Sequence, residues 1–140
     1  MATITATAAQ AGAPAIMNVA GSLTRSVQMS LSASLSSGDV IQMLRVPNGA
    51  LITDVVFIVD ALGGGNYTWA VGDGGTAGRY FVSLSAGSTS SINRMTLATG
   101  YGYSYSAEDT IDITCSTATT SSAAGSVKLI VTYTVQNNNQ

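Results

Sequence analysis

The chain has 140 residues, of which 9% are charged, with 5 Lys and Arg, 7 Asp and Glu, no His and a single Cys. An ordinary soluble domain carries about 25% charged residues, whereas 18 Ser and 17 Thr make up a quarter of this chain, so hydroxyl groups must supply much of its polar surface. A net charge of −2 lacks the basic excess that phosphate backbones require, and this excludes a typical nucleic-acid-binding protein.

Residues 1–20 predict an extended N-terminal arm, because Ala, Thr, Gln and Gly offer little bulk to bury. Residues 1–16 have neither a positively charged start nor a continuous apolar run, so we expect no signal peptide and no export. The longest apolar stretch, residues 50–62, contains Asp54 and Asp60 and is too short to span a bilayer. We therefore expect no membrane partner.

The next residues alternate with a period of two, which is typical of β strands. Residues 26–36 (SVQMSLSASLS) place apolar side chains on one face and Ser or Gln on the other. After a strand at 39–46 and a turn at Pro47-Asn48-Gly49, residues 50–59 are dense in β-branched side chains, which predicts a central strand covered on both faces. Further predicted strands, separated by Gly- and Ser-rich turns, are 66–71, 79–85, 92–98, 110–117 and 126–136.

About seven to nine short strands with frequent turn signals predict an all-β protein, an antiparallel sandwich or barrel. We assign residues 21–136 to one β-sandwich domain and expect residues 137–140 to fray. Periodicity alone does not decide between jelly-roll, immunoglobulin-like and barrel strand orders.

The composition excludes several kinds of catalytic centre. Without His there is no Ser-His-Asp or Cys-His system, and one Cys excludes a disulfide and thiolate clusters. Cys115 continues the alternation of Ile111 and Ile113, which indicates a small buried hydrophobe. Carboxylate chemistry is what remains, and its whole supply is Asp39, Asp54, Asp60, Asp73, Glu108, Asp109 and Asp112.

Two segments resemble sites but have simpler interpretations. Glu108 and Asp109 favour a turn leading into a strand with Asp112 on its outer face, although a calcium site at these three residues, or one that includes Asp73, is an alternative. Residues 72–77 (GDGGTA) match a dinucleotide-binding fingerprint on paper, but a strand follows them instead of a helix, which favours a hairpin loop. We expect no cofactor and no metal.

Aromatic residues supply the candidate interface. On an extended segment Tyr101, Tyr103 and Tyr105 would share one face, and together with Trp69 and Tyr67 they could form a protein interface or a sugar platform. The alternative is that the tyrosines cap one end of the sandwich.

Three runs resemble the small cement, or decoration, proteins that coat the capsids of tailed bacteriophages. They are GDVIQMLRVPNGALITDVVFIVD, WAVGDGGTAGRYF and YSYSAEDTIDITCST followed by AGSVKLIVTYTV, and together they span roughly residues 38–135. The resemblance implies a jelly roll made in the host cytoplasm that binds the outer surface of the head and contacts a major capsid protein of the HK97-type fold. It also implies a symmetric homo-oligomer and supplies no catalytic residues. A two-fold dimer is the commonest closed assembly, with a trimer as the alternative.

On that interpretation the arm is the segment most suited to ordering on the shell or on a neighbouring copy, with Ile4, Ile16 and Met17 as its apolar contacts. A carbohydrate- or receptor-binding module of a virion, using Trp69 and the tyrosines, is the second hypothesis. A carboxylate-dependent hydrolase is the third.

Overall fold

The computed structural model describes residues 2–5, 21–31, 35–63, 65–118 and 124–135. These residues form strands, turns and irregular connections without a helix, which confirms the all-β prediction. Accordingly, none of them lies in a helix that could cross a membrane. The strands are β1 (Thr3–Thr5), β2 (Ser22–Leu31), β3 (Val40–Val46), β4 (Ala50–Val59), β5 (Tyr67–Asp73), β6 (Phe81–Ala86), β7 (Ser91–Arg94), β8 (Asp109–Thr117) and β9 (Gly125–Val135).

The strands form a β-sandwich, as predicted. One sheet has the order β1-β3-β8-β5-β6 and the other has the order β2-β9-β4-β7. Every pairing is antiparallel except that of β1, which adds to the edge strand β3 in parallel. Without β1, each sheet has four strands. Most strands that are consecutive in the chain lie in different sheets, and this strand order is the jelly-roll arrangement.

Alternation explains how the strands form one core. Strand β9 buries Val127, Leu129, Val131 and Tyr133 completely, while the residues between them are partly exposed. Phe57 from β4 packs edge-on against Trp69 from β5, with ring centroids 5.8 Å apart, and so joins the two sheets. The core therefore lies between the inner faces of the two sheets.

The structure changes the prediction for β4. This strand lies inside its sheet between β9 and β7, but only one face is buried; Leu51, Val56 and Ile58 on the other are partly exposed. Its many β-branched residues therefore do not signal cover on both faces.

Some strand boundaries also differ from the prediction. Strand β6 begins at Phe81 because Arg79 and Tyr80 turn towards one end of the sandwich, where Tyr80 donates its backbone N–H to the carbonyl of Val71. Strand β7 ends at Arg94, and a turn at 98–102 follows. Most of the predicted arm, including Ile16 and Met17, and the predicted tail at 137–140 lie outside the described residues.

A single carboxylate holds the start of the described chain. Oδ1 of Asp39 accepts the backbone N–H of Ala2 at 3.0 Å, and its Oδ2 accepts that of Ser36 at 2.8 Å. These two hydrogen bonds lower the pKa of Asp39, and the one from Ser36 has the larger effect. Asp39 thus ties β1 to the segment that leads into β3.

Candidate functional site

One end of the sandwich holds a group of polar and charged side chains, which we call the Asp73 cluster. Its members come from the end of β5, the β5–β6 loop and the long β7–β8 connection. They are Asp73, Arg79, Tyr80, Tyr103 and Tyr105.

The loop after β5 is shaped by the Asp73 carboxylate. Oδ1 accepts the backbone N–H of Gly75 at 3.0 Å and that of Thr76 at 2.8 Å, and the N–H of Asp73 donates to the carbonyl of Thr76 at 3.0 Å. An Asp side chain that accepts hydrogen bonds from the amides two and three residues later favours a tight turn. The turn folds back over β5 so closely that a Cβ on Gly72 would lie 2.6 Å from the carbonyl oxygen of Ala77, and only glycine fits.

Arg79 holds the same carboxylate from the other side of the loop. Its Nε donates to Oδ2 of Asp73 and its Nη2 donates to Oδ1 at 3.2 Å, which is a bidentate pair. The guanidinium carbon also lies 3.5 Å from the ring centroid of Tyr103, a cation–π contact. The charge of Arg79 is thus neutralised on one side and covered by an aromatic ring on the other.

Two buried tyrosines complete the cluster. The hydroxyl of Tyr105 donates to Oδ2 of Asp73 at 2.9 Å and lies 2.7 Å from that of Tyr80. Because the Tyr105 proton is used on Asp73, Tyr80 is the donor in the second bond. The rings of Tyr103 and Tyr105 meet edge to face at 4.9 Å.

The cluster stabilises fixed protonation states. Burial raises the pKa of Asp73, but hydrogen bonds from Arg79, Thr76 and Tyr105 outweigh it and lower the pKa overall. Burial raises the pKa of Tyr80 and Tyr105. Asp73 is therefore ionised and both tyrosines are protonated near neutral pH, so none of the three is suited to exchanging a proton there. The geometry is that of a structural brace that closes this end of the sandwich.

Asp112 lies on the neighbouring strand β8 in a different environment. It faces away from Ile111 and Ile113, as alternation predicts, but it is only 8% exposed rather than open to solvent. The reason is the β5–β6 loop, which covers the outer face at Gly72, directly opposite Asp112 in the register. Its Oδ1 is buried without a hydrogen-bond partner among the described residues, and burial raises its pKa to about 6.

The other acidic residues do not form a metal site. Within the described part of the chain, no group of three or more acidic, Cys or His side chains is arranged to hold an ion. Glu108 instead pairs with Arg45 at 3.0 Å, and Oδ1 of Asp109 accepts the N–H of Thr110. Cys115 is buried, and burial raises its pKa to about 11, which agrees with its interpretation as a small hydrophobe.

The structure separates the aromatic residues that the sequence grouped together. Tyr67, Trp69 and Tyr105 are buried in the core and present no side-chain surface in the single chain. Tyr101 lies in a turn and is 50% exposed, because Gly102 adopts a left-handed φ of 70° and breaks the extended segment. Tyr103 is partly buried under Arg79, and Ile4 is exposed on β1.

Two exposed hydrophobic residues were not among the predicted site residues. Val82 on β6 is 63% exposed and Ile92 on β7 is 76% exposed. Both line a groove of about 450 Å³ between these two edge strands, where the sandwich is open. The sequence signal for this surface was limited to apolar residues in the two short segments that form β6 and β7. Such residues are equally typical of strands that face only the core.

Comparisons with known proteins agree on the fold. No protein-family model matches the chain, and no curated protein does. Among solved structures, a chain from the capsid of Ralstonia phage GP4 superposes with a TM-score of 0.80 at 19% identity, covering 98% of this chain and 99% of that chain.

Two further structures are similar. A chain of the cyanophage Pam1 capsid asymmetric unit has a TM-score of 0.71 at 24% identity, covering 89% of this chain and 92% of that chain. A chain of the acid-stable capsid of Helicobacter pylori bacteriophage KHP30 has a TM-score of 0.53 at 14% identity, covering 79% and 92%. At these identities the similarity establishes the fold alone.

Proposed function

We propose that this chain is a structural protein of a phage capsid, a cement or decoration protein that binds the outer surface of the head and links neighbouring major capsid protein subunits. The observation that carries the proposal is the end-to-end match to the GP4 capsid chain, which leaves 1% of that chain uncovered. The sequence resemblance to cement proteins, in particular that of a Bordetella-infecting podophage, points to the same role.

The character of the buried polar groups supports binding rather than catalysis. The Asp73 cluster uses its donors and acceptors internally, and the described acidic residues are dispersed among separate contacts. A rigid block that contacts two or more shell subunits makes their separation depend on the loss of several interfaces together. Copies repeated over the head would then strengthen it against the pressure of packaged DNA.

The partners proposed are a major capsid protein of the HK97-type fold and further copies of this chain, as a dimer or a trimer. Exposed Tyr101 and Ile4 are available for such contacts. Because Thr3–Thr5 already pair with β3, the rest of residues 1–20, with Ile16 and Met17, is proposed as an arm that orders on the shell or on a neighbouring copy. Assembly would take place in the host cytoplasm.

The proposal is tested by adding the purified protein to phage heads that lack it. We expect the protein to bind and to raise the temperature at which the heads release DNA, because bridged subunits must separate together. Absence of binding, or binding without a rise in that temperature, contradicts the cement function. Bovine serum albumin at the same concentration is the control for nonspecific crowding.

The carbohydrate-binding hypothesis receives no support from the described residues. It requires Trp69 and Tyr67 at the surface, where their rings could stack on a sugar. Both are buried, and Nε1 of Trp69 donates to the carbonyl of Ala86 inside the fold.

A further inference from the structure

The outer face of the β2-β9-β4-β7 sheet carries four aliphatic side chains next to one another, which we call the outer patch. The register places Val56 opposite Ile130, and Ile58 opposite Ile92. Val56, Ile58 and Ile130 are partly exposed, and Ile92 is the most exposed large hydrophobic residue described. Contiguous apolar surface of this kind is typical of interaction sites.

The surroundings of the outer patch are polar and include two cations. Lys128 lies opposite Ile58, and Arg94 lies opposite Val56. On the β2 side, Ser26 lies opposite Ile130 and Gln28 lies opposite Lys128, and the hydroxyls of Thr24 and Thr132 are 3.1 Å apart. An apolar centre with a polar rim is the usual anatomy of a protein–protein interface.

The charges on this face balance. Arg94 pairs with Asp54 at 3.0 Å, and Asp60 accepts a hydrogen bond from Ser126, two residues before Lys128. The face thus carries two cations and two anions, although the chain as a whole has a net charge of −2. Two copies of this face would approach each other without net repulsion.

The size of the face is sufficient for a specific contact. With strands about 4.8 Å apart and about 3.3 Å per residue, the full lengths of β2, β9, β4 and β7 together cover roughly 500 Å². Two such faces together bury about 1,000 Å², the lower bound for a specific interface. The groove lined by Ile92 and Val82 adjoins this face along β7.

We infer that the outer patch is the dimer interface of this protein, and that it packs against the same patch of a second copy about a two-fold axis. A two-fold contact uses one surface twice and therefore needs a surface that complements itself. An apolar centre with balanced charges meets that requirement. The partner at this surface is a second copy of the chain. That the chain forms a homo-oligomer at all rests on the proposed function.

The test compares the full chain with its Ile92→Asp variant by sedimentation equilibrium over a range of concentrations. We expect the unaltered chain to dimerise and the variant to associate about 30-fold more weakly or worse, because a carboxylate would be buried at the centre of the contact. Thermal unfolding of the monomer should be unchanged, since this side chain is 76% exposed. Ile92→Ser, which adds no charge, should weaken the dimer to a smaller extent.

Ser116→Asp is the matched control, because it places the same charge at an exposed residue of β8 in the other sheet. It should leave the dimer intact. The inference is wrong when the unaltered chain is monomeric or trimeric, when Ile92→Asp dimerises as the unaltered chain does, or when Ser116→Asp weakens the dimer equally.

Binding to heads separates this inference from the proposed function. A dimer that Ile92→Asp disrupts, together with no binding of either protein to heads, supports the interface and contradicts the capsid role. A monomeric chain that binds heads but loses this binding on Ile92→Asp contradicts the dimer interface, supports the capsid role and assigns the outer patch to the shell.

Discussion

Asp73 and Asp112 are buried carboxylates on neighbouring strands, and their surroundings have opposite effects. Asp73 is 5% exposed and receives hydrogen bonds from two backbone amides, a guanidinium and a phenol, and its pKa is lowered. Asp112 is 8% exposed, one of its oxygens has no partner among the described residues, and its pKa is raised to about 6. The exposed fractions of the two are nearly equal, so the supply of donors, together with the repulsion of Asp112 by Asp109 and Asp73, decides which charge is stabilised.

Removing the Asp73 charge should have the largest effect. Asp73→Asn leaves Arg79 buried without its counter-ion and replaces an acceptor with a donor towards Tyr105. Breaking a buried pair in this way costs about 3–5 kcal/mol of unfolding free energy. Urea unfolding at pH 7 measures the loss.

Glu108→Gln is the matched control for that experiment. Its pair with Arg45 is largely exposed, and removal of such a pair costs at most about 1 kcal/mol. Equal losses in the two variants would contradict the role assigned to the Asp73 cluster.

Removing the Asp112 charge should act in the opposite direction. Asp112→Asn is expected to raise the free energy of unfolding at pH 8 by about 3 kcal/mol, because a shift of about two pKa units is relieved. In the unaltered chain the cost of the charge is absent below the unfolded pKa near 3.8, grows as the pH rises, and is complete above about 6. The gain should therefore fall to about 0.5 kcal/mol at pH 4 and vanish at lower pH.

Unfolding temperatures of the two proteins between pH 4 and pH 8 test this difference. The unaltered chain should become more stable as the pH falls from about 6 towards 4, while Asp112→Asn should change less. Below pH 3.8 the Asp73 contribution is lost as the pH falls through its lowered pKa, and this sets the acid limit in both proteins. A pH-independent gain from Asp112→Asn would contradict the assignment.

The smallest effect is expected from Tyr105→Phe. The change removes the donor to Asp73 and the acceptor for Tyr80 while keeping the ring against Tyr103. Leaving a buried hydroxyl unpaired costs about 1–3 kcal/mol, and Arg79 still holds Asp73, so a loss at the low end is expected in urea unfolding. Tyr101→Phe, in the exposed turn, should leave the stability unchanged.

Local patterns in the sequence predicted most of the strands, although β2 begins at Ser22, before the predicted start at 26, and β1 lies in the predicted arm. Alternation at Val27, Met29 and Leu31, and at Ile111, Ile113 and Cys115, assigned the inner faces correctly, because a strand repeats every two residues whatever its partner. The same patterns did not reveal that Asp112 is covered, since the cover comes from a loop about 35 residues earlier in the chain.

The Asp73 cluster could not be predicted for the same reason. Asp73 and Tyr105 are 32 positions apart and meet only when the strand order brings their loops to one end of the sandwich. The regular spacing of Tyr101, Tyr103 and Tyr105 suggested one shared face, but the turn at Gly102 separates the first from the others. The outer patch could not be predicted, because β-branched residues favour strands whether they face the core or a partner.

The place of β9 in its sheet has a consequence for synthesis of the chain. Strands β2 and β4 do not pair with each other; both pair with β9, so that Ser22 and Leu51 lie on either side of Thr134. Ribosomes add about 5–20 residues per second, so β2 and β4 are synthesised several seconds before β9, the strand that pairs with both. The sandwich therefore closes only after translation has passed residue 135, and a nascent chain that stalls earlier has an incomplete sheet with an open edge for chaperones to protect.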